Sequence, residues 1–155
     1  MSGIFGFANL DGRPVSRDDL QPMAEQMAGW GPDGLHTITA GSAALGHALL
    51  IVTHESRFEK MPFRDEEQKI TFTAAARLDN RDELCDLFSI PHPERPVTSD
   101  GRLVYLAYKK WGREACKKLY GDWSFTAWHE LDRKLFLARD HLGNTRLYYY
   151  FKPPL

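Results

Sequence analysis

The sequence predicts an α+β layered domain with mostly antiparallel sheets, on three observations. Strand-like runs open the chain, helical periodicity fills its middle, and a second cluster of strand-like runs closes it. That segregated order belongs to α+β folds and not to βαβ alternation. Residues 123–128 and 134–138 are joined by a polar turn at 129–133, which marks a hairpin. The 155 residues suffice for one domain spanning 1–155, since a chain of this length buries about 70 % of its unfolded surface.

Each element has a local reason. Residues 3–8 are apolar and glycine-punctuated, and read as a short buried strand ended by the turn Asn9-Leu10-Asp11-Gly12. Ser16 with Asp19 forms a capping-box start. Leu20, Met23, Ala24 and Met27 follow at helical spacing as a core-facing stripe, and Gly29 ends the helix. Gly31-Pro32-Asp33-Gly34 is a turn, and strands are expected over 43–52 and over the threonine-rich 70–76. Asn80 with Glu83 supplies a second capping box for a short helix through Phe88. Pro91-His92-Pro93-Glu94-Arg95-Pro96 reads as an irregular surface loop, because proline removes backbone donors. Ser99 caps a helix whose Leu103, Leu106, Ala107 and Trp111 line one face before Gly112. A brief helix over 114–119 then leads to strands at 123–128, 134–138 and 146–151. The chain holds no internal repeat and no low-complexity tract.

Composition narrows the function classes. A net charge of -1 gives no ground for a nucleic-acid or anionic-membrane partner. No apolar run approaches about 18 residues, and no basic-then-apolar leader opens the chain, so a cytoplasmic location is expected. Cys85 and Cys116 are isolated and are expected to be free thiols in that compartment. The six histidines show no metal-ligand spacing, and no metal or cofactor is expected in this domain.

The amino terminus carries the sharpest chemical signal. Methionine is normally trimmed before a residue as small as Ser2, which would leave Ser2 first in the mature chain. A hydroxyl there lies within reach of its own α-amine, whose pKa of about 7.7–8 makes it a usable general base. This is the arrangement of the N-terminal nucleophile hydrolases.

Several motifs carry a family resemblance. Ser2-Gly3-Ile4-Phe5-Gly6 is similar to C-G-I-F-G, Trp30-Gly31-Pro32-Asp33-Gly34 to R-G-P-D-G, and Leu45-Gly46-His47-Ala48-Leu49-Leu50-Ile51 to L-G-H-x-R-L-S-I. Gly121-Asp122-Trp123-Ser124-Phe125-Thr126-Ala127-Trp128 is similar to G-x-F-A-F-A-x-W. Leu135-Phe136-Leu137-Ala138-Arg139-Asp140, followed by Gly143 and Leu147-Tyr148-Tyr149, resembles L-F-L-A-R-D-x-x-G-x-x-P-L-Y-Y. Together they resemble, from end to end, the class II glutamine amidotransferase domain at the N-terminus of asparagine synthetases. The resemblance implies a four-layer αββα sandwich that hydrolyses glutamine and passes ammonia to a following ATP-dependent synthetase domain. The pyrophosphate loop S-G-G-x-D-S of that second domain does not occur in this chain. The expectation is an N-terminal half or a free-standing homologue, partnered by a synthetase domain in cis or in trans.

At the positions where the resemblance implies catalysis, the residue types have changed. Ser2 replaces the cysteine nucleophile, and Ala75 replaces the asparagine whose amide donates to the oxyanion. Ala76 stands where the family has the glycine of N-G-E, and Arg77 reverses the sign of the acidic residue that helps hold the substrate amine. Leu49 takes the place of the arginine that clamps the glutamine carboxylate. Asp100 matches the aspartate of the family's D-x-E turn and is the one surviving amine ligand, with Arg102 in place of its glutamate partner. A glutaminase without these groups lacks both its oxyanion donor and its bidentate anion clamp.

The expectation that follows is a glutaminase-silent domain. The resemblance to β-lactam synthetases and lasso-peptide cyclases implies such a role, because there an internal amine of the substrate attacks an acyl-adenylate and no ammonia is needed. Trp30 and the run 76–84 favour the lasso-peptide cyclases, whose complete enzyme uses ATP and Mg²⁺ to close a macrolactam on a precursor peptide. Two alternatives stand beside it: an amide hydrolase using Ser2, and a stand-alone module whose vacated pocket holds a peptide side chain. His47 is expected to be a hydrogen-bonded structural histidine. Arg139 and Asp140 are expected as a local ion pair or turn cap, and Trp111, Trp123 and Trp128 as core aromatics.

Overall fold

The computed structural model describes residues 1–153 and contains two antiparallel sheets between helices. Strand β1 (Gly3–Ala8) leads into helix α1 (Arg17–Met27), then β2 (Gly34–Ala40) and β3 (Ala43–Leu49). Strand β4 (Phe63–Asp65) and β5 (Ile70–Leu78) precede α2 (Arg81–Leu87) and α3 (Asp100–Trp111), and β6 (Gly121–His129) and β7 (Lys134–Arg139) complete the order. One sheet runs β1-β3-β2 and the other β4-β5-β6-β7. Phe5, Leu20, Ala24 and Ala44 seat α1 on the outer face of the first sheet. Phe72, Ala74, Phe125, Leu103 and Ala107 seat α3 on the outer face of the second. Leu45 of β3 meets Trp128 of β6 between the sheets, so the layer order is helix, sheet, sheet, helix.

Strand alternation explains these layers. Phe72 and Ala74 of β5 face α3, while Thr71, Thr73 and Ala75 face the opposing sheet, and the Thr73 hydroxyl reaches the Gly46 carbonyl at 3.4 Å. Gly46 has its own packing reason: a Cβ there would lie 2.2 Å from the Phe5 ring. Phe72 is fully buried, with ring centroids of Tyr105 and Phe125 at 5.1 and 5.4 Å. Truncating it leaves a cavity that these rings cannot close. Phe72→Ala is therefore expected to cost about 3–5 kcal/mol in a urea unfolding titration.

The caps at Ser16 and Ser99 form as the sequence indicates: Asp19 N–H donates to Ser16 Oγ (3.3 Å) and Arg102 N–H to Ser99 Oγ (3.2 Å). Other expectations are corrected. Asn80 does not cap α2; its amide donates to the Lys118 carbonyl (2.9 Å) and accepts from Tyr120 N–H (3.1 Å), tying the end of β5 to the loop before β6. The strand expected over 43–52 stops at Leu49, because the following amides bond to side chains: Leu50 to Ser2, Ile51 to Asp33 and Val52 to Ser56. The proline-rich 91–96 folds into an exposed 3₁₀ turn, His92–Val97, with proline in its first positions where a missing N–H costs nothing. The helix expected over 114–119 is a 3₁₀ turn at Gly112–Lys117. Strands β2 and β4 were not legible: one is a half-exposed edge, and the other has only three residues. Residues 146–151 form no strand and leave Tyr148, Tyr149 and Tyr150 exposed.

Cys85 is buried and Cys116 half-buried, both as free thiols. Trp123 and Trp128 lie in the core, whereas Trp111 is only partly covered. Asp140 is a turn cap, accepting the backbone N–H groups of Leu142, Asn144 and Thr145 at 2.8–3.1 Å. No helix among the described residues is long and apolar enough to cross a membrane.

Candidate functional site

The ends of β1 and β3 and the second half of β5 converge on a cleft of about 200 Å³. Because β1 and β3 are antiparallel, with Gly3 opposite Ala48, the amino terminus lies beside the residues that follow β3. Ser2, Leu49, Ala75, Ala76 and Arg77 all line this cleft, so five of the six residues singled out in the sequence meet in one place.

Asp100 is not among the lining residues. Its Oδ2 accepts from Leu78 N–H at 2.9 Å and its Oδ1 from Arg81 Nη1 at 2.5 Å, with both side chains largely buried. Arg81 also donates to the carbonyls of Arg95 and Thr98. Asp100 therefore holds β5, α2 and α3 together, and neither oxygen is left without a partner.

The Ser2 hydroxyl is also engaged. Its Oγ accepts from Leu50 N–H at 3.0 Å and donates to the Leu50 carbonyl at 3.4 Å. With Met1 in place, its Sδ 3.8 Å from Thr145 Oγ1, the Ser2 nitrogen is a peptide nitrogen without a basic lone pair. Leu49 is buried and presents only carbon to the cleft. Arg77 turns its guanidinium to Asp79 (2.5 Å) and Asp122 (3.0 Å), and Asp122 takes a further bond from Asn144 (2.9 Å). The Asn144 amide and the Arg77 guanidinium hold the Asp122 carboxyl below its ordinary range.

One oxyanion-type donor remains. Strand β4 covers β5 only as far as Phe72, so the edge beyond it carries no partner strand. Leu78 N–H points to that edge, where Asp100 takes it, and strand alternation puts the Ala76 N–H on the same edge. Ala76 stays in ordinary strand geometry, outside the left-handed region in which glycine is favoured.

Two further groups complete the cleft, and sequence reasoning assigned neither of them there. His47 is buried, with Nε2 lacking any hydrogen-bond partner. Burial first, and the neighbouring His36 second, push its pKa down to about 4, so the ring is neutral at pH 7. Glu59 enters from the loop before β4. Its carboxylate accepts from Ser99 Oγ (2.9 Å), Lys60 N–H (3.1 Å) and Gly101 N–H (3.2 Å) at the start of α3. A Cβ on residue 101 would sit 2.5 Å from Glu59 Oε2, so glycine at 101 is what admits this approach. Burial, aided by the charge of Asp100, raises Glu59 to about 6 against the opposing pull of its hydrogen bonds. No sequence signal marks Glu59, because its partners lie 40 and 42 residues away.

The raised Glu59 pKa sets a sign for stability. Folded protein holds this proton more tightly than unfolded chain, so the group's contribution declines as pH rises from 4.5 to 6. His47, whose folded pKa is depressed, works in the opposite direction over an overlapping window but is common to wild type and variant. The melting temperature of wild type relative to Glu59→Gln should fall between pH 4.5 and 6.5. A constant difference would show that Glu59 titrates normally.

The sequence matches the glutamine amidotransferase domain family across residues 1–153. The chain belongs to that family. The match spans every element described above, including the cleft of this glutamine amidotransferase domain and the residues after β7. No curated protein matches the chain at a significant level. Within the glutamine amidotransferase domain, the cleft combines carbon walls, one neutral imidazole and two carboxylates, Glu59 and Asp122. Its Ser2 hydroxyl is tied to backbone, and its arginine is tied to two aspartates.

Proposed function

We propose that this glutamine amidotransferase domain has lost glutaminase chemistry. It serves as the scaffold or substrate-binding platform of an asparagine synthetase-like, ATP-dependent, amide-forming ligase, after the manner of a lasso-peptide macrolactam cyclase. The observation that carries this reading is the pairing of Leu49 and Ala75 in the cleft with a Ser2 hydroxyl committed to the Leu50 backbone. Glutamine would meet carbon where its carboxylate needs a bidentate cation, and an alanine where the developing oxyanion needs an amide. ATP and Mg²⁺ belong, in this reading, to a synthetase domain acting in cis or in trans, and no residue of this chain is assigned to them. The partner substrate is a precursor peptide.

A second reading, an amide hydrolase using Ser2, is favoured by one feature only, the Ala76 N–H on the uncovered edge of β5. Ammonia release from excess glutamine separates the two. The full chain, with and without its terminal methionine, is expected to release none above a heat-denatured control. Steady turnover by the trimmed chain would replace the scaffold reading with the hydrolase.

A further inference from the structure

We infer that a second cavity, between the loop before β4 and the start of α3, binds a peptide carboxylate carried beside an apolar side chain, with Arg102 as its anchor and Lys60 as a second cation. This cavity holds about 390 Å³ and shares only Glu59 with the cleft beside Ser2. The inference therefore goes beyond the scaffold reading and does not depend on it.

The walls set the kind of ligand. Phe58, Met61, Phe63 and Val97 line the cavity with carbon, and Phe58 and Val97 stay 38% and 48% exposed. Most polar groups around it are spent. The Ser99 hydroxyl donates to Glu59 (2.9 Å) and the Thr98 hydroxyl to the Glu94 carbonyl (2.8 Å). Glu59 also accepts from the N–H groups of Lys60 and Gly101. Asp65, beyond the Tyr105 ring, is taken by the Tyr105 hydroxyl and by Lys109 (3.1 Å). Two cations are left: neither the Arg102 nor the Lys60 side chain has a hydrogen-bond or ion-pair partner among the described residues.

Arg102 is placed for a ligand. Its backbone N–H is fixed to Ser99 Oγ in the first turn of α3, and its guanidinium carbon lies 5.6 Å from the ring centroids of both Phe63 and Tyr105. Phe63 is itself a wall of the cavity, so the guanidinium stands at that wall. A cation–π contact uses the charge of a guanidinium and none of its N–H donors, so the fork that matches a carboxylate stays unspent. The family pattern has a glutamate at 102, so the arginine also reverses the charge brought here. Two cations facing one carboxylate, Glu59, favour a single negative charge and oppose a phosphate dianion. A bare carboxylate leaves the carbon walls uncovered, whereas an adjacent apolar side chain covers Phe58 and Val97. Such a carboxylate comes from an acidic side chain or from a peptide's carboxyl terminus.

The test is an NMR titration of the amide shifts of the full chain, with probes up to about 10 mM to detect a millimolar Kd. The side-chain probe is acetyl-leucyl-glutamate methylamide, and the terminal probe is acetyl-leucine with a free carboxylate. At least one is expected to bind with shifts at 58–63 and 97–102, and the tighter of the two identifies the source. The glutamine counterpart is expected to bind at least about tenfold more weakly, the loss associated with a charge-assisted contact. The alanine-for-leucine and phosphoserine-for-glutamate counterparts should also bind more weakly than the side-chain probe. Arg102→Gln should lose about tenfold, with Arg102→Lys between it and wild type. Val97→Asp, a change at an exposed position, should fold and repel the probe by placing an anion on the cavity wall. Binding of neither carboxylate probe would overturn the proposal, as would shifts confined to 75–77, equal binding of the glutamine or alanine counterpart, or preference for the phosphoserine one. Full binding by folded Arg102→Gln or Val97→Asp would overturn it as well. Ammonia release from glutamine reports on the scaffold reading alone.

Discussion

Ser2→Cys is expected to leave glutamine hydrolysis undetectable, even in chain freed of its terminal methionine. A thiol is the better nucleophile, so the substitution by itself ought to help. Under the scaffold reading proposed above, three other deficits remain. Ala75 offers no amide to the tetrahedral intermediate, and the absence of one such donor costs about 10²–10³ in rate. Leu49 gives the substrate carboxylate no partner. Arg77 puts positive charge near the place of the amine and is itself locked to Asp79 and Asp122. The remaining donor, Ala76 N–H, cannot replace the set. The informative comparison adds Leu49→Arg, Ala75→Asn, Ala76→Gly and Arg77→Glu to Ser2→Cys. Ammonia release should then rise by about 10² or more over Ser2→Cys alone, since one oxyanion donor accounts for that much. Turnover by the single variant would show that the missing groups are dispensable and that the cleft is an unfamiliar active centre.

Asp100→Ala is expected to destabilise the fold by about 3–5 kcal/mol, the cost of removing one member of a buried ion pair. The loss has two physical parts. Arg81 is left with a buried charge facing the carbonyls of Arg95 and Thr98 and the more distant Glu55 carboxylate at 3.9 Å, and Leu78 N–H loses its acceptor on an edge that no strand covers. Asp100→Asn, which keeps an acceptor but not the charge, should lose less. Urea unfolding read by tryptophan fluorescence suffices, because Trp123 and Trp128 are buried in the layers that Asp100 braces. The result also decides what Asp100 is for. A residue held ready for a ligand is released from electrostatic strain when truncated, so a variant as stable as wild type would identify Asp100 as a ligand group.

These two outcomes bear on how the site was assembled. Ser2, Leu49, Ala75, Ala76 and Arg77 lie in short sequence motifs, and they meet because β1, β3 and β5 bring three motif ends to one corner. Asp100 lies in a motif of the same kind and stands apart, because a side chain's partners are not written beside it. Leu78 and Arg81 take both of its oxygens from 22 and 19 residues away. Glu59 shows the converse. A loop glutamate among other charged residues carries no mark in the sequence, yet the start of α3 and the glycine at 101 draw it into the cleft wall.

Local physics was legible in the chain alone. Capping residues, helical periodicity, turn chemistry and the period-2 alternation of β5 and β6 each act within a few residues, and they fixed α1, α3, the hairpin and the α+β class. The residue types at 2, 49, 75 and 77, on which the proposed scaffold reading rests, are also properties of the chain alone. Tertiary structure decided what depends on who is near whom. It gave Asn80 to the loop at 118–120 instead of a helix cap, ended β3 at Leu49 through side-chain acceptors, and left residues 146–151 without a partner strand. It also left the buried Nε2 of His47 without a hydrogen-bond partner. Hydrogen bonds and burial are settled between segments far apart in sequence, so no window of residues holds that information before the chain has folded.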